Sequence, residues 1–485
     1  MKKVQPNKKV VSIEQLKIWF EGSSDTVIKT RDYQDHTLDF LYCPQLVDMK
    51  FINEVIFPTI NEVIEKNGHL NFELLNNVLE ANKLKDIHTV KTETEEKLFS
   101  GELIIFNHHL NDLYFLPVSN LPKRGPEESN MESSIRGPRD GLVENISDNM
   151  ALIRQRLKTS SLKSIDYTIG ERSRTKILLL YINDIMNPSI LEDVKKRLDS
   201  IKVDSVASSY EIEEFLYDKT FSLFPLMENS GRPDFAVQSL TQGRFVIIVD
   251  GNPTCLIGPA NLNQLLYSPE DAHDSFFYVS MVRVLRFLAI STTIFLPGFY
   301  ISLITFQLDQ IPYSLIATIS ASRISLPISA PMEVFIMLVL FELFKEAGVR
   351  LPKAVGQTVA VLGGLFIGDA AIRAGLTSPS CLVIVAVTVI SGYILSNQTL
   401  AVNLVILRFL VLAFSGLFGL YGFFISFFLI LTNVVSLESF GQPYMSYLSK
   451  PHGADIIKNM LKLPYRFMKK RNQAYQPIDS DSQKE

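Results

Sequence analysis

Asp369 and Arg373 stand four residues apart near the end of an apolar run of membrane length, GQTVAVLGGLFIGDAAIRA, from Gly356 to Ala374. About 20 apolar residues suffice for a helix to cross a bilayer. A carboxylate or guanidinium inside such a span is costly and faces a protein interior or a watery cavity. Repeated around an assembly, a carboxylate makes a ring that favours cations, and an arginine one turn later blunts it by pairing. The run is rich in small residues, with glycines at 356, 363, 364 and 368 and alanines at 360, 370, 371 and 374. Small residues let helix backbones approach closely. The segment therefore reads in two ways. It is either a tightly packed helix whose Asp369 and Arg373 pair at headgroup level, or a helix lining a pore.

Other residue types capable of chemistry form no such pattern. There is no phosphate loop, no GxSxG and no HExxH, and no catalytic, cofactor-binding or metal-binding residue is expected. His108 and His109 fall in a hairpin turn with Asp112 near them, where a histidine pair is expected to be exposed. Asp250-Gly251 is turn chemistry. Cys43, Cys255 and Cys381 are too scattered for metal-ligand spacing or a disulfide framework, which fits a reducing compartment. The net charge of -4 makes no case for nucleic acid. The cationic start, MKKVQPNKKVVS, lacks the apolar stretch of a secretory signal, so residues up to about 280 are expected in the cytosol.

The 485 residues divide by composition. Before about 280, charge and apolar patches mix as in a soluble domain. From Val355 to Val435 the charged residues are Asp369, Arg373 and Arg408 alone, as in a membrane domain. The fold class expected is a multi-domain membrane protein: a cytosolic α/β region of two similar subdomains, then an all-α polytopic membrane domain. The boundaries expected are 1–120, 121–265, 266–445 and a basic cytosolic tail, 446–485, lying near anionic lipid.

In the first subdomain a short helix around Val11 to Phe20 carries Trp19. Strands are expected at Val27 to Tyr33 and Thr37 to Tyr42. A helix from Met49 to Glu65 should be kinked or divided by Pro58, and others follow at Asn71 to Asn82 and up to Phe99. A hairpin joins Glu102–Phe106 to Leu113–Val118. The second subdomain repeats the order: strands Ile165–Ile169 and Lys176–Ile182, helices Ser189–Ile201 and Tyr210–Tyr217, and a hairpin of Arg244–Val249 with Thr254–Ile257. LFSGELIIF (Leu98–Phe106) aligns with LTQGRFVII (Leu240–Ile248), which points to duplication.

Between the halves, Leu121 to Lys158 begins as a polar linker and continues with turn residues Arg136, Gly137 and Pro138. Leu142, Ile146, Met150, Ile153 and Leu157 then recur at helical spacing, with Glu144, Asp148, Arg154 and Arg156 on the opposite face. This amphipathic helix either docks on one subdomain or lies between subdomains or subunits. Arg136, Gly137, Pro138, Asn149, Arg154 and Arg156 are the residues expected at such a contact.

In the membrane half, Arg283 and Arg286 precede the first span, Phe287 to Leu308, and place that end in the cytosol. Pro297 sits mid-span. Ile311–Ser320 is short enough to be re-entrant or interfacial. Ile328–Phe344, with Glu333 and Glu342, is the second span, Gly356–Ala374 crosses outward, and Cys381–Leu395 returns. Val402–Val435 is one long tilted helix or two short ones meeting between Gly416 and Gly422. With both ends inside the number of crossings is even, six expected and four the fallback.

Taken together, SIRGPRDGLVENISDNMALIRQRLK, GRFVIIVDGNPTCLIGP, RVLRF, ASRISLPISAPMEV, FKEAGVRLPKAVGQT and GGLFIGDAAIRAGLTS resemble, in order and spacing, the motifs of the A subunit of GerA-type spore germinant receptors. The resemblance runs from about residue 30 to 445. Two positions depart from it: Ser275-Phe276 stands where an Arg-Trp pair is common, and Asp148 where threonine is. It implies a spore inner-membrane protein acting with a transporter-like, nutrient-binding B subunit and a lipoprotein C subunit. It also implies a homo-oligomer, a pentamer by expectation, that forms a nutrient-gated cation channel. On that reading Val359, Leu362, Gly363, Phe366, Asp369 and Arg373 line the pore, the apolar ones forming a dewetting constriction. The rival readings are a secondary transporter and a membrane-anchored signalling scaffold.

Overall fold

The computed structural model describes residues 13–33, 36–67, 70, 72–79, 81–83, 90–110, 112–120, 134–324, 326–350, 368–445 and 461–483. The chain divides into two compact units. The first comprises Met1–Asp218, Met227–Pro259 and Met468–Glu485, and the second Lys219–Leu226 and Ala260–Phe467.

The first unit contains two five-stranded antiparallel sheets. β1 (Val27–Tyr33), β2 (His36–Tyr42), β3 (Asn82–Lys83), β4 (Glu102–Asn107) and β5 (Asp112–Pro117) lie in the order β1-β2-β4-β5-β3. β6 (Leu162–Ile169), β7 (Thr175–Ile182), β8 (Glu228–Ser230), β9 (Phe245–Val249) and β10 (Cys255–Gly258) lie in the order β6-β7-β9-β10-β8. The two orders are the same permutation. The aligned stretches LFSGELIIF and LTQGRFVII also occupy the same place. Each ends a helix, Val90–Leu98 or Pro233–Thr241, turns at a glycine and enters the central strand. Those glycines, Gly101 and Gly243, have φ of +87° and +89°, a region open to glycine and costly for side chains. A Cβ on Gly101 would also lie 2.6 Å from the Leu46 carbonyl oxygen.

Side chains alternate across the strands, and the first sheet is covered on both faces. Leu103 and Ile105 pack with Ile52, Ile56, Ile60 and Ile64, and Ile104 and Phe106 pack with Leu16, Phe20, Leu98 and Phe99. Double coverage explains why β4 is apolar at consecutive positions. The helix expected at Met49–Glu65, kinked or divided by Pro58, is divided just ahead of that proline. It widens to a π-helical turn, Ile52–Ile56, in which the Phe57 N–H bonds the Ile52 carbonyl, and continues as Phe57–Asn67. The wider turn accommodates the missing N–H and the ring of the proline.

Residues beyond Met468 belong to the stretch expected as a basic cytosolic tail, and here they pack on the first unit. Arg471 Nε donates to the Thr241 carbonyl at 2.9 Å, the Ile478 N–H bonds the Ile185 carbonyl at 2.9 Å, and Tyr475 is buried. Its aromatic ring and main-chain bonds hold this stretch on the first unit.

The second unit is helical: Phe276–Phe306, Tyr313–Arg323, Ala330–Arg350, a helical piece at 368–373, Pro379–Tyr393 and Gln398–Val435. Among the described residues, Phe276–Phe306 and Gln398–Val435 are long and apolar enough to cross a membrane, and Pro379–Tyr393 is apolar but shorter. The first begins eleven residues before the expected span and runs through Pro297 without interruption. Gln398–Val435 is two helices joined at Gly419, whose φ of 63° and ψ of −142° are not helical. Most of Gly356–Ala374 lies outside the described residues.

Candidate functional site

The helix Ile146–Arg156 starts at Asn145, whose side chain accepts the Ser147 N–H. Leu142, Met150 and Ile153 bury against β7, β9 and β10, with Ile146 and Leu157 beside them. Ala151 points the other way, into the core of the first sheet. The helix thus docks on the second subdomain and touches the first as well.

Arg154 is 1% exposed and is the centre of that contact. Its Nε and Nη2 donate to the two carboxylate oxygens of Asp25 at 2.6 and 3.0 Å. It also donates to the Thr159 and Leu162 carbonyls, each at 2.8 Å, and lies 4.2 Å from the centre of the Phe99 ring. Ser164 Oγ donates to Asp25 at 2.9 Å, and Ser160 Oγ donates to Glu95. Lys163 donates to the Trp19 carbonyl at 3.3 Å, and burial lowers its ammonium pKa.

The remaining residues expected at this contact bond differently. Asn149 is fully buried and closes the turn ahead of its own helix, accepting the Val143 N–H at 2.7 Å and donating to the Val143 carbonyl at 2.6 Å. Arg156 donates to Asp140 at 2.5 and 2.7 Å and to the Leu152 carbonyl at 3.0 Å. Arg136 is exposed, while Gly137 and Pro138 are half-buried in an irregular segment. Asp25, Glu95, Ser160 and Ser164 escaped the sequence reading because single polar residues, whether in a helix (Glu95), in a strand (Ser164) or beside one, carry no signal of which buried partner they meet.

Several ionisable residues of the second unit form ion pairs. Glu333 is completely buried. Its Oε2 accepts Arg323 Nη1 at 2.8 Å, and its Oε1 accepts the Ser378 N–H and hydroxyl, each at 2.6 Å, and the Thr377 hydroxyl at 3.1 Å. Ser378 caps the helix Pro379–Tyr393 by accepting the Cys381 N–H. Glu342 meets Arg408 at 3.2 Å and Lys345 at 3.0 Å. Asp271 holds Arg283 at 3.2 Å and Arg286 at 2.9 Å, just before and within the start of Phe276–Phe306. Asp369 and Arg373 form an i, i+4 pair at 2.8 Å, and their side chains are 61% and 78% exposed. Val359, Leu362, Gly363 and Phe366 lie outside the described residues.

Among the described residues no group of three or more His, Cys, Asp or Glu could hold a metal ion. The three cysteines are buried and form no disulfide, and burial pushes the Cys43 thiol up to about 12. His108 and His109 are exposed in their turn, and His108 Nε2 lies 2.6 Å from Asp39.

Residues 14–474 match the family described as Bacillus/Clostridium GerA spore germination protein. The chain is 39% identical over 489 aligned positions to spore germination protein XA of Bacillus anthracis, covering 98% of each. It is 34% identical to spore germination protein KA of Bacillus subtilis, covering 94% of this chain and 85% of that protein. A crystal structure of the N-terminal domain of the A subunit of the Bacillus megaterium spore germinant receptor GerK3 aligns with 52% of this chain and 96% of that one. The identity there is 24% and the TM-score 0.40.

Proposed function

The chain belongs to the Bacillus/Clostridium GerA spore germination protein family, and from that premise we propose that it is the A subunit of a nutrient germinant receptor, forming the receptor's cation-conducting pore as a homo-oligomer. The proposal includes a multi-pass arrangement in the spore inner membrane, a pentameric ring, and work alongside a transporter-like B subunit that binds the nutrient and a lipoprotein C subunit.

The observation that carries the pore reading is the exposure of Asp369 and Arg373. Within the apolar stretch from Val355 to Val435, the other charge, Arg408, is buried against Glu342. Asp369 and Arg373 protrude from the single chain. Facing lipid, such a pair would be costly. It is favourable against water in a lumen or against a second copy. A unit this small encloses an ion path by repetition around an axis, and small residues at 356, 363, 364 and 368 suit close packing of neighbours.

The test is ion flux through the reconstituted receptor in liposomes, with and without candidate amino acids and nucleosides. Nutrient-dependent cation flux supports the proposal. A receptor that binds nutrient, assembles fully and passes no ions would favour the scaffold reading instead.

A further inference from the structure

We propose that Glu333 is an intramembrane binding site for a monovalent metal cation, and that Arg323 occupies it in this state as a tethered counterion. This deepens the channel reading and rests on it for the identity of the ion.

The donor set comes first. Glu333 is 0% exposed, and its two oxygens take four hydrogen bonds. Around the carboxylate runs a line of hydroxyl oxygens. Thr377 and Ser378 touch it, Ser380 Oγ lies 3.3 Å from Ser378 Oγ, and the Tyr300 hydroxyl donates to Ser380 at 3.0 Å. With Arg323 set aside, the carboxylate carries one negative charge among the Thr377 and Ser378 hydroxyl oxygens, beside the Ser378 N–H and the Cys381 thiol. Carboxylate and hydroxyl oxygens suit hard cations, and a single charge balances a single-charged ion.

The counterion comes second. Arg323 ends the helix Tyr313–Arg323, none of whose eleven residues is buried. Tyr313 is 89% exposed, and Ile324, just beyond the helix, is 85% exposed. Ile319 leans on the core, but the helix buries little that would hold it in place. The Arg323–Glu333 pair at 2.8 Å is therefore a large share of its attachment. The two partners differ in kind: Glu333 is fixed in the core between two helices, and Arg323 rides on a peripheral one.

The consequence follows from electrostatics. A buried carboxylate deprived of its partner is strongly unfavourable. The helix can leave with Arg323 when another cation takes its place, and the net charge of the site is then unchanged. A permeant cation arriving at Glu333 and the release of Tyr313–Arg323 become one exchange, coupled in both directions as linkage requires.

The test uses the full-length chain in phosphatidylethanolamine–phosphatidylglycerol vesicles and a hydrophobic carbodiimide, with modification at Glu333 read by peptide mass. In the wild type, Arg323 shields the carboxylate. In Arg323→Gln, modification of Glu333 is expected to rise several-fold as its counterion is lost. Potassium or sodium should suppress that rise saturably, while N-methylglucamine at equal ionic strength should not. Modification at Glu342 serves as the internal reference and should stay constant. Equal modification of Glu333 in wild type and variant overturns the proposal. So does a rise that neither metal suppresses, or one that N-methylglucamine suppresses equally. Should Arg323→Gln not accumulate, Arg323→Lys, which keeps the charge on a donor that cannot fork, is expected to show a smaller rise with the same metal protection; no protection there overturns the site. Because the readout is chemical, it decides the site even if flux measurements sink the channel.

Discussion

Arg154 and Asp25 face each other across the junction of the two subdomains, two hydrogen bonds at 2.6 and 3.0 Å joining a guanidinium 1% exposed to a carboxylate 3% exposed. They are 129 residues apart in the chain. The pair sits where the helix Ile146–Arg156, docked on the second sheet, reaches the first.

Removing one partner of this pair leaves the other charged and buried. Asp25→Ala is expected to cost about 3–5 kcal/mol. Asp25→Ala combined with Arg154→Met should recover much of that loss. Trp19, the single tryptophan, accepts a bond from Lys163 through its carbonyl and is a local reporter. Urea unfolding of the solubilised chain, followed by tryptophan fluorescence, checks both expectations.

Glu213 gives the first unit a pH dependence. Burial pushes its carboxyl up to about 7, despite a hydrogen bond from the Tyr217 hydroxyl. A carboxyl raised above its unfolded value contributes stability that is complete below about pH 4.5 and lost as pH rises through about 7. Glu213→Gln should therefore flatten the pH profile and leave the variant more stable than wild type at pH 8.5, by up to about 3 kcal/mol. Unfolding midpoints at pH 5.5 and 8.5 read the difference directly. A wild type no less stable at the higher pH would contradict the assignment.

Gly419 joins the two halves of Gln398–Val435 at φ 63° and ψ −142°, and a Cβ there would lie 2.9 Å from the Phe306 ring. Gly441 has φ +69° and open space around it. Gly419→Ala should cost more than Gly441→Ala: the former combines a clash with a backbone conformation costing about 1–3 kcal/mol, the latter carries about 1–2 kcal/mol of left-handed cost. Thermal unfolding of the two variants in detergent ranks them. Equal losses would mean that the join at Gly419 gives way easily.

For conduction, the Asp369–Arg373 pair sets opposite signs. Arg373→Gln unmasks the carboxylate and should raise cation-over-anion selectivity several-fold, and Asp369→Asn should lower it. Reversal potentials in reconstituted receptor measure both. If neither variant moves them, Asp369 does not face the ion path. Replacing Val359, Leu362 or Phe366 by alanine or serine should separately produce spores that leak ions without nutrient.

Much of the first unit could be read from its letters. Period-two strands, helical stripes such as Leu142, Met150 and Ile153, and the likeness of LFSGELIIF to LTQGRFVII are local patterns. They were visible because each is set by neighbours a few residues away. The two- and three-residue strands β3 and β8 and the helix Pro233–Thr241 were not visible. The strands are too short for a period, and they hold their places through the strand beside them. Pro58 marked a division without giving its form: proline removes a hydrogen bond, and a π-helical turn next to it absorbs the defect.

The second unit divides the same way. Apolar length marked the membrane-type helices, and Gly416 to Gly422 bracketed the join at Gly419. Arg154 and Glu333 stood in the sequence as charges on helices, and nothing nearby named their partners. Periodicity reports which side of a helix is apolar, because that depends on burial common to every turn. It is silent on which buried charge meets which, since that depends on a distance between segments brought together by packing alone. The repeated order of elements, strand order within each hairpin and the long apolar helices belonged to the sequence; Asp25 beneath Arg154, and Arg323 over Glu333, were decided by the tertiary structure.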